Sequence, residues 1–159
     1  MRKFTGAFLF IAAITSTAHA QEITTALSIA SAGSGPGGPY PSAEFRASFP
    51  TSNRFAVEPF VTLGSKRQPA RGFEGFYGVQ VRQRIANLST PQSYVFAAYG
   101  MSGYYWNRGA EVPLIGQFGL GVRHRTSKYL AVRSQIDLIA WPYFLLGARF
   151  TIGVSLAKE

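Results

Sequence analysis

The C-terminal stretch FLLGARFTIGVSL, residues 144 to 156, sets Phe150, Ile152, Val154 and Leu156 at every second place and fills the gaps with Arg149, Thr151, Gly153 and Ser155. A period of two belongs to a β-strand, whose successive side chains point to opposite faces. The same alternation recurs along the chain. It divides residues 21 to 159 into eight candidate strands, at 22–32, 40–50, 54–64, 73–86, 93–106, 113–125, 128–140 and 143–157. The separators are rich in turn residues: GSGPGGP, PTSN, SKRQPARG, NLSTPQ, NRGAEVP, RTSK and a short corner containing Trp-Pro. Helical periodicity is absent beyond residue 20, so the chain is all-β.

Alternation is symmetric between a water-soluble barrel, apolar side inward, and a membrane barrel, apolar side outward. Composition breaks the tie. Charged residues make up 14% of the chain, where about 25% is usual. No run after residue 20 reaches the roughly 18 apolar residues of a membrane helix. A chain too apolar for water and without spanning helices can live in lipid only as a closed barrel. The polar faces are poor in Lys and rich in Gly and Arg, which suits a crowded interior with multidentate pairing. Tyr40, Tyr77, Tyr94, Tyr104, Tyr105, Trp106, Tyr129, Trp141 and Tyr143 lie near segment ends, where interfacial girdles are expected. The predicted fold is an eight-stranded antiparallel up-and-down transmembrane β-barrel. In YGVQVRQRI, residues 77 to 85, it puts Gln80, Arg82 and Arg84 inside and Val79, Val81 and Ile85 against lipid. An exported soluble barrel or sandwich with a basic outer face is the alternative at the level of fold.

The N-terminus sets the compartment. Arg2 and Lys3 precede an apolar run from Phe4 to Ile14, and small residues follow up to Ala18-His19-Ala20. That is the pattern of a secretory signal peptide cleaved after Ala20, so residues 1–20 are set apart from a single domain over 21–159. Lys plus Arg number 16 against 7 Asp plus Glu, a net charge of +9, and only two of the basic residues fall in the leader. An anionic neighbour is implied, and export points to phosphorylated lipid and away from nucleic acid. Cysteine is absent, so neither disulfides nor a thiolate metal site is available.

The interior face carries Glu44, Arg46, Glu58, Gln80, Arg82, Arg84, Gln117, Arg123, Arg133, Gln135, Asp137 and Arg149. An eight-stranded barrel is just filled by its side chains, so these groups are expected to form a plug of ion pairs and hydrogen bonds. Six arginines against three carboxylates leave a surplus. It must meet water, the glutamines or an anion, and a narrow anion-permeable channel is therefore an alternative function.

With leader, eight segments and the ending GARFTIGVSL in view, the chain resembles the small eight-stranded outer-membrane barrels of Gram-negative bacteria, the OmpA-like and OmpX-like family. The resemblance implies a bacterial outer-membrane location and an insertion signal read by the assembly machinery, here Gly147, Phe150 and Ile152. It implies a periplasmic N-terminus, with PTSN, NLSTPQ and RTSK on the periplasmic side and the other connections outside. Lys66, Arg67 and Arg71 then become a basic cluster able to meet lipopolysaccharide phosphates. The chain departs from the family at its end, which is Leu156-Ala157-Lys158-Glu159 and not an aromatic residue.

Catalysis has thin support. Lipid A-modifying barrels of this size imply a histidine with a hydroxyl and a carboxylate near the outer surface. Outside the leader the only histidine is His124, with Thr126, Ser127 and Asp137 as tempting partners. It shares the apolar parity of Leu120 and Val122 and lies beside a turn expected on the periplasmic side, so an interfacial role is expected. Gly33, Gly35 and Gly38 have dinucleotide-motif spacing, but Pro36 interrupts them and no helix follows. No metal and no cofactor is expected. The expected role is structural or interactive at the cell envelope.

Overall fold

The computed structural model describes residues 22–32, 40–66, 72–90, 92–106, 112–141 and 144–157. The expected leader, the glycine-rich segment with Gly33, Gly35 and Gly38, and Arg67 and Arg71 lie outside them. Eight strands form: β1 (Glu22–Ala32), β2 (Tyr40–Pro50), β3 (Phe55–Lys66), β4 (Gly72–Asn87), β5 (Tyr94–Trp106), β6 (Val112–Arg125), β7 (Leu130–Trp141) and β8 (Phe144–Ala157). Each pairs antiparallel with the next, and β8 returns to β1, closing the barrel. With 11 to 16 residues each, the strands meet or exceed the roughly 9 to 11 that a tilted strand needs to cross a bilayer.

The faces are inverted relative to a water-soluble protein. Leu27 is 69% exposed and Ile136 54%, while Arg46, Glu58 and Asp137 are buried. Leu120, Phe150, Ile152, Val154 and Leu156 join the outward apolar band. A surface so apolar is unstable in water and stable in hydrocarbon, and closure leaves no unpaired strand edge there. Gln80 and Arg82 lie inside, and Val79 and Ile85 outside, as the alternation predicts.

Glycines on the inner face fit close approaches. A Cβ on Gly100 would lie 2.6 Å from the Cα of Gln80, and one on Gly121 would meet the Phe96 ring. Only glycine fits without moving the neighbouring backbone or ring. The prolines in the described strands follow backbone chemistry too. Pro41, Pro50 and Pro113 sit at or beside strand ends, and the β2–β3 ladder skips from Arg46↔Phe60 to Phe49↔Val57, past Pro59, which has no N–H to give.

Both described chain ends meet at one end of the barrel, where Glu22 pairs with Ala157. Three turns close the same end, at 51–54, 88–93 and 126–129. Two of them are built alike from a Thr-Ser pair. Thr51 and Thr126 donate their backbone N–H to the carbonyls of Phe55 and Leu130, both at 3.0 Å. Ser52 Oγ accepts from Phe55 N at 3.1 Å, and Ser127 Oγ from Leu130 N at 3.2 Å.

Candidate functional site

The lumen is a charged lock with Glu58 at its hub. Both of its oxygens accept from Arg133, at 2.9 and 2.8 Å. Arg46 Nη1 and Arg82 Nε each reach it at 3.2 Å, Gln80 Nε2 donates at 2.7 Å, and Ser48 Oγ completes the set. The fork of Arg133 matches the carboxylate geometry, which is why arginine and not lysine occupies such places. A second knot joins Asp137 Oδ2 to Arg149 Nε and Nη2, at 3.1 and 2.8 Å. Glu44 lies between Arg46 and Arg149. Glutamines splice the two knots: Gln135 Oε1 accepts from Arg46 at 3.0 Å and Arg133 at 2.7 Å while its amide donates to Asp137, and Gln117 reaches Gln80 at 3.2 Å.

Aromatic rings fill what the polar groups leave. The guanidinium carbon of Arg149 is 5.0 Å from the Phe60 ring centroid, that of Arg46 5.4 Å from the same ring, and that of Arg133 4.5 Å from Phe96. A guanidinium uses its edge for carboxylates and its face for a ring, so one residue satisfies both neighbours. Gly119 lies in register with Asp137, and a Cβ there would collide with the carboxylate.

At the turn-bearing end the network changes character. Glu22 accepts from Arg123 Nε at 2.9 Å and from Arg82 Nη1 at 3.4 Å. Arg123 also donates to the Gln92 carbonyl at 2.8 Å. Tyr94 stands among Arg82, Arg84 and Arg123, whose guanidinium carbons are 5.5, 5.0 and 5.6 Å from its ring centroid. A cavity of about 260 Å³ opens there, lined among others by Arg54, Arg82, Arg84, Arg123 and Arg125.

One sequence expectation is corrected here: Tyr94, expected in an interfacial girdle, is buried inside. Arg84 is on the inner face as expected, in register with buried Phe96 and with its guanidinium over Tyr94, and lies half-buried toward the mouth with its Nε on Asn87 Oδ1 at 2.6 Å, beside a register shift between Arg84 and Ala86. Alternation also missed Glu22, buried as the first residue of β1. Among the described residues the fully buried charges are five arginines and four carboxylates; with half-buried Arg84 on the inner face the six expected arginines meet four carboxylates, a surplus of two in place of three. The other luminal candidates, Glu44, Arg46, Glu58, Gln80, Arg82, Gln117, Arg123, Arg133, Gln135, Asp137 and Arg149, are all buried. Gly147 lies in β8, Phe150 and Ile152 face outward, and Lys66 is the last residue of β3.

His124 does not assemble a triad. Its register partner is Val132, and Asp137 lies inside, paired with Arg149. Its Nδ1 is 3.2 Å from Ser93 Oγ, which already accepts from Thr90 Oγ1 at 2.9 Å and from Arg125 N at 3.0 Å. With both lone pairs engaged, the Ser93 hydroxyl has its single proton left for the ring nitrogen. Ser93 is buried, and the pair fastens the 88–93 turn to β6.

No family model matches the chain, and no curated protein matches its sequence. Among solved structures it is similar to the crystal structure of neisserial surface protein A (NspA), with 11% sequence identity, 86% of this chain and 96% of that chain covered, and a TM-score of 0.62. At that identity the likeness is one of fold.

Proposed function

We propose that this chain is an integral barrel of a bacterial outer membrane, exported by its N-terminal leader, with a role in envelope structure or surface contact. The observation that carries the reading is the pairing of an outward apolar band with a lumen closed by the Glu58 and Asp137 knots. A barrel whose described lumen is so filled presents its rims to its surroundings. The fold shared with a protein named for the surface supports the location. Insertion by the outer-membrane assembly machinery would use Gly147, Phe150 and Ile152 of the last strand. Lys66, Arg67 and Arg71 would meet lipopolysaccharide phosphates. The smaller arginine surplus does not favour the anion channel, and the Ser93–His124 geometry favours no lipid A chemistry.

Expression in a Gram-negative host followed by carbonate washing and gel electrophoresis tests the reading. The protein is expected in the washed outer-membrane pellet, migrating faster unheated than boiled, and planar bilayers containing it are expected to show no stepwise conductance. Recovery in the soluble periplasm, or discrete anion-selective steps, would overturn it.

A further inference from the structure

We propose that His124 is a pH-sensitive latch on the 88–93 turn, holding it against β6 while the imidazole is neutral and releasing it once the ring is protonated. Three consecutive residues of β6 fasten this turn. Arg123 Nη1 donates to the Gln92 carbonyl at 2.8 Å, the Arg125 backbone N–H donates to Ser93 Oγ at 3.0 Å, and His124 Nδ1 meets the same oxygen at 3.2 Å. A guanidinium and a backbone amide keep their protons at every ordinary pH. Histidine is the side chain whose charge ordinarily changes between about pH 5 and 8, so the third contact is the one that acid alters.

The direction of the bonds makes the contact depend on the neutral ring. Ser93 Oγ accepts from Thr90 Oγ1 at 2.9 Å and from Arg125 N, which occupies both of its lone pairs. Its own proton then goes to a bare Nδ1. A ring carrying two protons brings an N–H to an oxygen with no lone pair to spare, and one of the three donors must withdraw. Among the described residues His124 has no carboxylate partner. Val132 stands opposite it on β7, and Ser93 and Gln92 come from the turn, all uncharged. Tyr94, which follows Ser93, is buried on the inner face. Arg133, next to Val132, is turned inward onto Glu58. Arg123 holds Glu22, Arg125 the carbonyls of Ser127 and Lys128, and Lys128 lies over the Tyr129 ring. None of these groups offers the protonated ring an ion pair. Gln92 and Tyr94, on either side of Ser93, line the cavity at the mouth, so release of the turn loosens one edge of that opening. The latch stands independently of the envelope role proposed above, since it needs only the folded barrel.

The test follows amide hydrogen exchange by NMR in the full chain refolded in zwitterionic detergent, at about pH 8 and about pH 5, with each rate divided by the intrinsic rate at that pH. Leu88 N–H, bonded to the Ser93 carbonyl at 2.7 Å, and Ser93 N–H, bonded to the Thr90 carbonyl at 2.9 Å, report on the turn. Thr51 N–H, bonded to the Phe55 carbonyl in a turn without histidine, is the control. Protection of the first two is expected to fall about fivefold on acidification, in step with the ring signals of His124, while that of Thr51 holds. His124→Asn keeps an acceptor near the Nδ1 position and does not titrate, so its turn should be equally protected at both pH values. Ser93→Ala, which removes the shared oxygen, should leave the turn poorly protected at both, and serves if the asparagine variant does not regain its heat-modifiable gel migration. Equal protection of the wild-type turn at both pH values would show that the Ser93 and Thr90 hydroxyls reorient to receive the ring proton, and would overturn the proposal. An acid-induced fall of the same size in His124→Asn, in Ser93→Ala or at Thr51 would overturn it too.

Discussion

Glu58 concentrates the physics of the lumen in one side chain. Its two oxygens take donors from Arg46, Arg82, Arg133, Gln80 and Ser48, more than the roughly four lone-pair directions of a carboxylate can serve ideally. Removing the charge leaves three buried guanidiniums facing a neutral group. Glu58→Gln is expected to cost about 3–5 kcal/mol, because breaking a buried pair leaves its partners uncompensated. Ser48→Ala, which removes one neutral donor, is expected to cost about 1 kcal/mol. Urea unfolding in lipid vesicles would measure both, and equal losses would show that the hub is not ionic. A second comparison isolates the pair. The losses in Glu58→Gln and Arg133→Gln should sum to more than the loss in the double variant, since the two share one interaction. Glu58 and Arg133 were legible in the sequence because charged residues inside an alternating segment reveal which face is sealed. Glu22 was not, because a polar residue opening a strand reads as solvated until its partners on β4 and β6 are in place. Tyr94 and Phe96 were hidden for a different reason: in YVFAAYGMSG apolar residues occupy both parities. Only the register Arg84↔Phe96 and Tyr94↔Arg123 assigns their face.

Strands carry the next level, and their boundaries could be read closely because each is bracketed by residues with a turn preference. The segments 22–32 and 40–50 coincide with β1 and β2. What alternation could not show was where it slips. β4 shifts register between Arg84 and Ala86, so Ile85 is the extra residue, just past Arg84 at the mouth. The turns are read more directly, since Thr51-Ser52 and Thr126-Ser127 make the same bonds in separate hairpins. Ser52→Ala and Ser127→Ala are each expected to cost about 0.5–1.5 kcal/mol. With no bond in common, the two losses should add in the double variant, and thermal unfolding of the three proteins in one detergent would check it. The outer face answers to depth instead. Leu120, which pairs with Ile136 in mid-strand, faces outward, as does Leu156 near the turns. Leu120→Lys should destabilise the inserted barrel by about 2–4 kcal/mol and Leu156→Lys by about 0–1 kcal/mol. Equal costs in vesicle unfolding experiments would mean that the apolar band does not sit in hydrocarbon.

At the scale of the whole molecule, closure decides whether anything else counts. β1 pairs with β2 through nine residues and with β8 through eleven, from Glu22↔Ala157 to Ala32↔Gly147. The last of the eight strands is therefore the one that joins the first, and the barrel is not closed until the two pair. Such long-range pairing makes insertion all-or-none, because an open sheet in lipid would carry a row of unsatisfied N–H and C=O groups. Proline tests the idea, as it removes one donor without adding charge. Pro59 is tolerated within β3 because the β2 ladder passes over it while its pairing with Val79 persists. Ile152 has no such relief, since it is in register with Leu27 on one side and Ser134 on the other. Ile152→Pro should therefore abolish the compact, unheated gel form altogether, where Ile152→Ala, which keeps the donor, should preserve it with lower stability. Were the proline variant to retain a compact form as abundant as the wild type, β8 would be an appendage to a sheet that holds without it, and the sealed lumen would need another explanation.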